Sequence, residues 1–319
     1  MNFLTMDYFV ETARERSITN AARRLHITQQ TLSAHVAALE KELGCRLFER
    51  STPLKLTYAG EVFLQYALDF QRQYRSLCQE FGDITGNQKG LLRVGISFAR
   101  SYALMPPLIK AFQAKYPHIE IRLREGSNEE LCAALVKEDM DIVIGHFPEN
   151  IKGIVRTPFY QERMLLVLSE KLLTNTYGKK CEDIIRKLSD GDYSVLSDCP
   201  FVLGIPEDIG GHAARQFLAL HGLSPAVKAQ SENIETLLEL CRLGVGACFC
   251  PENLYRLTVK NMGISNRWKT FAFPEDTAYP IWFGTVKKER YHWQIIAEFI
   301  RMAQEMALEE MYDGVPTAK

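Results

Sequence analysis

The chain has 319 residues, 46% of them hydrophobic and 24% charged, with a formal net charge of −1. These are ordinary values for a globular protein long enough to build two or three cores. The near-neutral balance excludes a protein that is basic throughout, so any nucleic-acid contact must be local. No apolar run approaches the ~18 residues of a membrane span and no signal-peptide pattern opens the chain, so a cytoplasmic location is expected.

Residues 4–15 read as an opening helix in which Leu4, Tyr8, Phe9 and Ala13 pack behind the second of the two helices that follow. Ser17 to Arg50 then reads as two helices, a tight turn and a short ribbon. Thr19 is placed to cap the first helix, with Ala21, Ala22 and Leu25 on one apolar face. His26-Ile27-Thr28 makes the turn, and Thr28 caps the second helix. Leu32, Val36, Leu39 and Leu43 form its core stripe and Gly44 stops it. Gln29, Gln30, Ser33, Ala34 and Ala37 face outward, short or amide-bearing and uncharged, which suits a DNA major groove. Cys45 to Phe48 and Lys55-Leu56 read as two strands of a wing around Ser51-Thr52-Pro53. Arg50, Ser51, Thr52 and Lys55 at its tip can meet phosphate or enter the minor groove; alternatively, Arg46 and Arg50 pair with Glu42 or Glu49.

This stretch resembles the N-terminal winged helix-turn-helix of the LysR-type transcriptional regulators. The matching marks are Ser17-x-Thr19-x-Ala21-Ala22-x-x-Leu25, then Thr28-Gln29 and Ser33, the run LEKELGCRLFER, and Leu56-Thr57-x-Ala59-Gly60. The resemblance implies a double-stranded DNA partner, met by Thr28, Gln29, Gln30, Thr31, Ser33, Ala34, Arg50, Thr52 and Lys55. Two positions depart from the family habit, which favours Pro at Gln30 and a basic or long polar residue at Ala34. Gln30 adds an adenine-reading amide, whereas Ala34 offers only a thymine-methyl contact.

Thr57 caps a helix expected to run to about Gly86. Within it Phe63, Ala67, Phe70, Tyr74, Leu77, Phe81 and Ile84 alternate spacings of four and three, a heptad seam on a rod of roughly 45 Å. Such a seam either packs on its own domain or pairs with a second copy. The resemblance favours the second, giving a homodimer, a dimer of dimers (homotetramer), and a pseudo-palindromic promoter site. Gly82, Gly86 and Gly90, with Asn87, Gln88 and Lys89, mark a linker.

From Leu91 short apolar runs alternate with helical patterns: LLRVGIS, a helix from Ser101 to Tyr116 with Pro106-Pro107 in its first turn, IEIRLRE, a helix from Asn128 to Lys137, and MDIVIGH. That is a β-α-β-α-β unit with a parallel sheet. A comparable unit comes next: LLVLS, a helix around 179–189, PFVLGI, a helix at 211–221, a strand near 226–230, a helix at 234–243, and GACFCP. WKTFAF, PIWFGTV and a last helix from about His292 to Met311 close the chain. The fold class is therefore α+β multidomain: a winged helix-turn-helix (1–58), a long linker helix and hinge (59–90), and an effector-binding domain (91–319). The last resembles a two-lobed α/β periplasmic-binding-protein-like domain, with lobe I at about 91–160 and 268–319 and lobe II at about 161–267. The chain is expected to cross between lobes near 155–162 and 264–270.

Ligands of open parallel sheets sit at the carboxyl ends of strands, where helix N-termini converge. That rule names Ser97, Arg100, Ser101, Ser127 and His146, with Leu203, Ile205 and Gly246 from the second lobe, for a small-molecule effector. Serine hydroxyls and Arg100 suit an anionic one. In the resembling family, positions matching Ser97 and Ser127 hydrogen-bond effectors. The plainer alternatives are serines that only cap helices, a solvated Arg100 and a satisfied strand-end His146. The eight cysteines (Cys45, Cys78, Cys132, Cys181, Cys199, Cys241, Cys248 and Cys250) show no C-x-x-C and read as reduced small core residues. No P-loop, G-x-S-x-G, H-E-x-x-H or metal-spaced His/Cys cluster occurs, so no catalysis, metal or cofactor is expected. The expectation is a sequence-specific, effector-controlled DNA-binding regulator, with RNA polymerase as a further partner. The rival is a ligand-independent repressor or architectural protein whose α/β region has lost its ligand.

Overall fold

A computed structural model describes residues 2–49, 51–86, 88–148, 150–206, 209–256, 268–273, 278–288 and 291–312. The chain divides into two compact units, residues 1–88 and 89–319.

In the first unit α1 (Phe3–Glu15) is capped by Asn2, α2 (Ile18–Arg24) by Ser17, and α3 (Gln29–Leu43) by Thr28 and, at its end, by left-handed Gly44. The cap of α2 is thus Ser17, whose side chain accepts from Asn20 N, and not Thr19, which lies inside the helix. The chain is extended at Ser17 and turns helical one residue later, so only the earlier hydroxyl reaches a free first-turn amide. One core holds Met6, Phe9, Val10, Ala21, Ala22, Leu32, Val36, Leu39, Leu47, Phe48 and Ala67. Leu4, expected to pack, is half exposed; Met6 and Val10 take that role. Phe9 meets Phe48 and Phe63 at ring separations of 5.1 and 4.8 Å.

The wing is β1 (Phe48–Glu49) paired antiparallel with β2 (Lys55–Leu56). Glu40 of α3 anchors it, its Oε1 accepting from Leu47 N at 2.7 Å and Phe48 N at 3.2 Å. Thr57 donates to Arg46 O and caps α4 (Tyr58–Thr85) by accepting from Gly60 N. A Cβ at Gly60 would stand 2.0 Å from Leu47 O, so helix and wing approach as closely as they do only with glycine there.

In the second unit a five-stranded sheet has the order β4-β3-β5-β12-β6, comprising β3 (Gly90–Ile96), β4 (Ile119–Glu125), β5 (Ile142–Gly145), β6 (Ile154–Glu162) and β12 (Tyr279–Val286). β3 pairs in parallel with β4 and β5, and β12 runs antiparallel between β5 and β6. The helices α5 (Phe98–Lys115), α6 (Asn128–Val136) and the C-terminal α11 (Gln294–Tyr312) complete lobe I. Its main core joins Phe112, Phe283 and Phe299 to the β3 and β5 side chains. α5 starts at Phe98, three residues before expectation, so Pro106 and Pro107 fall inside the helix instead of in its first turn.

Lobe II is built on β7 (Met164–Ser169), which has β10 (Cys248–Pro251) and β11 (Trp268–Ala272) on either side. Both pairings are antiparallel, so this lobe does not repeat the parallel unit of lobe I. Parallel pairing is found between β8 (Phe201–Leu203) and β9 (Val227–Gln230), with a single bridge from Phe201 to Ala247. Its helices are α7 (Glu170–Tyr177), α8 (Cys181–Ser189), α9 (Ile209–Leu220) and α10 (Ile234–Arg242). The sequence pattern gives a helix only around 179–189, so α7 is an element it does not include. β6 pairs along its length with β12, so the chain leaves lobe I just after Glu162; β11 pairs with β7 and belongs to lobe II, not to lobe I. The return crossing therefore comes after Ala272, C-terminal to the expected 264–270.

Candidate functional site

Gln29, Gln30, Thr31, Ala34 and Ala37 are exposed on one side of α3, and Ser33 is half-buried beside them. Leu32, Val36 and Leu39 on the other side are buried, at 0, 6 and 1% exposure. Thr28 spends its oxygen on the cap, accepting from Thr31 N at 3.1 Å, and shares a hydrogen bond with the Thr31 hydroxyl at 2.8 Å. The helix thus offers a spine of fixed leucines and a face of amides, hydroxyls and methyls, the functional groups that match base edges. Thr52 and Lys55 are exposed on the wing, and Arg50 lies outside the described residues.

The expected seam on α4 divides in two. Ala67 is fully buried and Phe63 packs edge-on against Phe9, so both serve their own domain's core and are withdrawn from any interface. Those positions lie where α4 runs alongside α1. Phe70, Tyr74, Leu77, Phe81 and Ile84 remain 40 to 71% exposed, an apolar stripe on the outer half of the helix. Tyr74 has a partner within its unit, the Phe3 ring at 4.8 Å.

In the second unit Ser97, Ser127 and His146 come directly after β3, β4 and β5, at or near their carboxyl ends. Asn128 ties two of these corners together, its Oδ1 accepting from His146 N at 3.1 Å. His146 Nδ1 lies 3.1 Å from Pro280 O. A carbonyl only accepts, so the proton of the neutral ring sits on Nδ1 and Nε2 is the acceptor. Ser127 forms a full capping box with Glu130, which leaves its hydroxyl proton to donate elsewhere.

Arg100 is neither an open anion receptor nor a solvated charge. It is 7% exposed, with Nε and Nη2 on Glu162 Oε1 and Oε2 at 3.3 and 2.6 Å and Nη1 on Ser97 Oγ at 3.0 Å. Glu162, 1% exposed, also accepts from the Tyr160 and Tyr279 hydroxyls. Burial opposes the charge on Arg100, but the facing carboxylate and the two phenol oxygens outweigh it and hold the guanidinium protonated. Burial first, and then the carboxylate, push both tyrosines well above the ordinary phenol range, so they remain donors. The group sits where β6 and β12 meet the start of β7, and the His146 ring stands edge-on to Tyr279 at 5.9 Å. Glu162, Tyr160 and Tyr279 are not expected from sequence; the signal that could have found Glu162 is that a buried arginine needs a carboxylate.

Four further expected effector residues serve packing. Ser101 is 4% exposed, one turn inside α5. Leu203 is 3% exposed in the lobe II core, with its carbonyl taken by Ser231 N. Gly246 lets the β10 segment close on Phe201, whose carbonyl carbon would lie 2.7 Å from an added Cβ. Ile205 is fixed by its backbone, with its oxygen so near Gly211 that a Cβ there would lie 1.9 Å away. Among the described residues no group of three or more His, Cys, Asp or Glu is arranged to hold a metal ion. No described helix is long and apolar enough to cross a membrane.

Two family models match the chain. Residues 4–61 fit the bacterial regulatory helix-turn-helix protein of the lysR family, and residues 85–307 fit the LysR substrate binding domain. The chain belongs to the LysR family of transcriptional regulators. It is 29% identical over 265 residues to the uncharacterized HTH-type transcriptional regulator YcgK of Bacillus subtilis, covering 80% of this chain and 82% of the relative. The transcriptional dual regulator GltC of the same organism is 27% identical over 267 residues, covering 82% and 85%. A crystal structure of full-length CbnR with its target DNA has the same fold, with TM-score 0.61 and 20% identity over 96% of this chain and 99% of that one. HinK, a LysR family regulator from Pseudomonas aeruginosa, gives TM-score 0.52 and 20% identity over 96% and 98%. The LysR-type chain is thus a regulator whose helix-turn-helix is followed in sequence by a substrate-binding domain.

Proposed function

We propose that this regulator reads a pseudo-palindromic promoter duplex as a cytoplasmic homodimer, assembled further into a dimer of dimers, without catalysing a reaction. Gln29, Gln30, Thr31, Ser33 and Ala34 of α3 meet base edges, while Arg50, Thr52 and Lys55 of the wing meet phosphate and the minor groove. The observation that carries this reading is the outward side of α3: a run of exposed, uncharged residues on a helix whose opposite side is fixed in a core. The DNA held by the structurally similar CbnR supports it. The exposed stripe from Phe70 to Ile84 is the dimer seam, and pairing supplies the second recognition helix that a palindromic site needs.

A small acidic effector is received at the carboxyl ends of β3, β4 and β5 by Ser97, Ser127 and His146. Its binding energy shifts the equilibrium between two states of the assembly, which is all that coupling of two sites requires. Selection of bound fragments from random duplexes tests the DNA reading; a two-fold-related consensus is the expected result. A thermal-shift screen of small anions tests the effector, because a ligand at a hundred times its Kd stabilises by about 2.7 kcal/mol.

A further inference from the structure

Ser97 occupies the N-cap of α5 with the extended backbone of a cap (φ −68°, ψ 150°), yet its side chain makes no cap hydrogen bond. The equivalent residues of α6 and α10 do: Ser127 accepts from Glu130 N and Asn233 from Thr236 N. The cause is Arg100. Its Nη1 donates to Ser97 Oγ, and its other two contacts anchor the guanidinium to Glu162, so the serine oxygen is drawn away from the helix. Two kinds of donor are left over. A guanidinium has no lone pair, so the Ser97 proton cannot point at it and must seek an acceptor elsewhere. The first-turn amides of α5, beyond the reach of intrahelical bonding, also lack their side-chain cap.

We infer that Arg100 is a positioning residue that sets the effector class: it holds the Ser97 hydroxyl and the uncapped first turn of α5 as a set of donors for a carboxylate, without touching the effector. This role rests on the effector site proposed above. Glu162 already receives four hydrogen bonds, two from Arg100 and one each from Tyr160 and Tyr279, so an incoming acid gains nothing by displacing it. A carboxylate can accept from both the Ser97 proton and the first-turn amides, whereas a group that can only donate, such as an ammonium, meets just the one remaining lone pair of Ser97 Oγ and leaves those donors unpaired, which is costly.

The test uses the full-length protein and three variants, Arg100→Lys, Ser97→Ala and the double variant. Lysine keeps a positive charge for Glu162 but has no planar fork to span both partners. Probes are sodium acetate, benzoate and succinate, each with its neutral amide, measured by calorimetry; hydrogen exchange of the α5 peptide is followed alongside. Arg100→Lys is expected to weaken the carboxylates about tenfold, to reduce their preference over the amides, and to slow exchange in the first turn of α5 as Ser97 swings round to cap it. In the Ser97→Ala background the same lysine change is expected to have no further effect on affinity. An equal loss in both backgrounds, or unchanged α5 exchange, overturns the inference, because Arg100 would then act by direct contact or by folding alone. Wild-type protein that binds none of the probes gives a different result: it removes the effector reading itself, and this inference with it.

Discussion

Phe81→Asp isolates the dimer seam from the fold. Phe81 is 58% exposed and lies on the outer half of α4, past Phe63 and Ala67, which belong to the helix-turn-helix core. A phenylalanine presents roughly 150–250 Å², so burying the exposed remainder removes on the order of 100 Å² from each helix. For a pair of helices that is about 200 Å², or about 5 kcal/mol at ~25 cal/mol per Å². The aspartate also adds a charge that must be desolvated, but part of the area term is offset by side-chain ordering. The dimer dissociation constant should therefore rise on the order of a thousandfold, with helix content and the unfolding midpoint of the effector domain unchanged. Sedimentation velocity over a hundredfold range of concentration reads this directly. A variant that sediments like the wild type throughout that range refutes the seam, and with it the pairing of recognition helices along α4.

Three other outcomes are expected. Ser33→Glu places a charge on the half-buried edge of the α3 face; duplex affinity should fall at least a hundredfold while the thermal midpoint stays within a few degrees, and unaltered binding in a fluorescence titration would remove Ser33 from the interface. Arg301, Lys115 and Tyr116 hold Glu298 down to about 2 from 4.5. A depressed carboxyl pKa contributes stability that is complete above the unfolded value and lost as pH falls through the folded one, so urea midpoints should lose this contribution between about pH 4.5 and 2, and Glu298→Gln should flatten that part of the profile. Cys199, Cys241, Cys248 and Cys250 are buried, and burial pushes Cys199 up to about 12. Native protein should leave these four thiols unreacted with an aromatic disulfide reagent at pH 8, and rapid modification of any of them would contradict the packing of lobe II.

The helix-turn-helix was legible because local physics determines it. Leu32, Val36 and Leu39 lie within two turns of each other, and their spacing alone selects one helix face. Gly60 is equally local, since the turn at Thr57 brings Leu47 O against it. The heptad on α4 was legible as a pattern, but Phe63 and Ala67 illustrate its weakness: spacing reports that a stripe wants burial, not which neighbour supplies it. In the second unit, features that depend on distant pairing left no such mark. Arg100 and Glu162 are 62 positions apart and meet only because β6 ends where α5 begins. The antiparallel partners of β7 come from residues 248–251 and 268–272, and nothing in the strands' own composition distinguishes antiparallel from parallel pairing in a fully buried sheet. Leu203 and Gly246 were named by a topological rule for strand ends, and close packing turned out to be their role.

The claim on which the rest depends is that the open side of α3 enters a duplex. Its most direct measurement is the equilibrium affinity of the full-length protein for a selected duplex, titrated from 50 to 200 mM salt against a scrambled duplex of equal length. The expected result is a steep linear fall of log affinity with log salt, roughly a thousandfold or more over that range for six or more phosphate contacts, with the selected duplex bound more tightly than the scrambled one at every point. Equal binding of both duplexes, or affinity indifferent to salt, would contradict it.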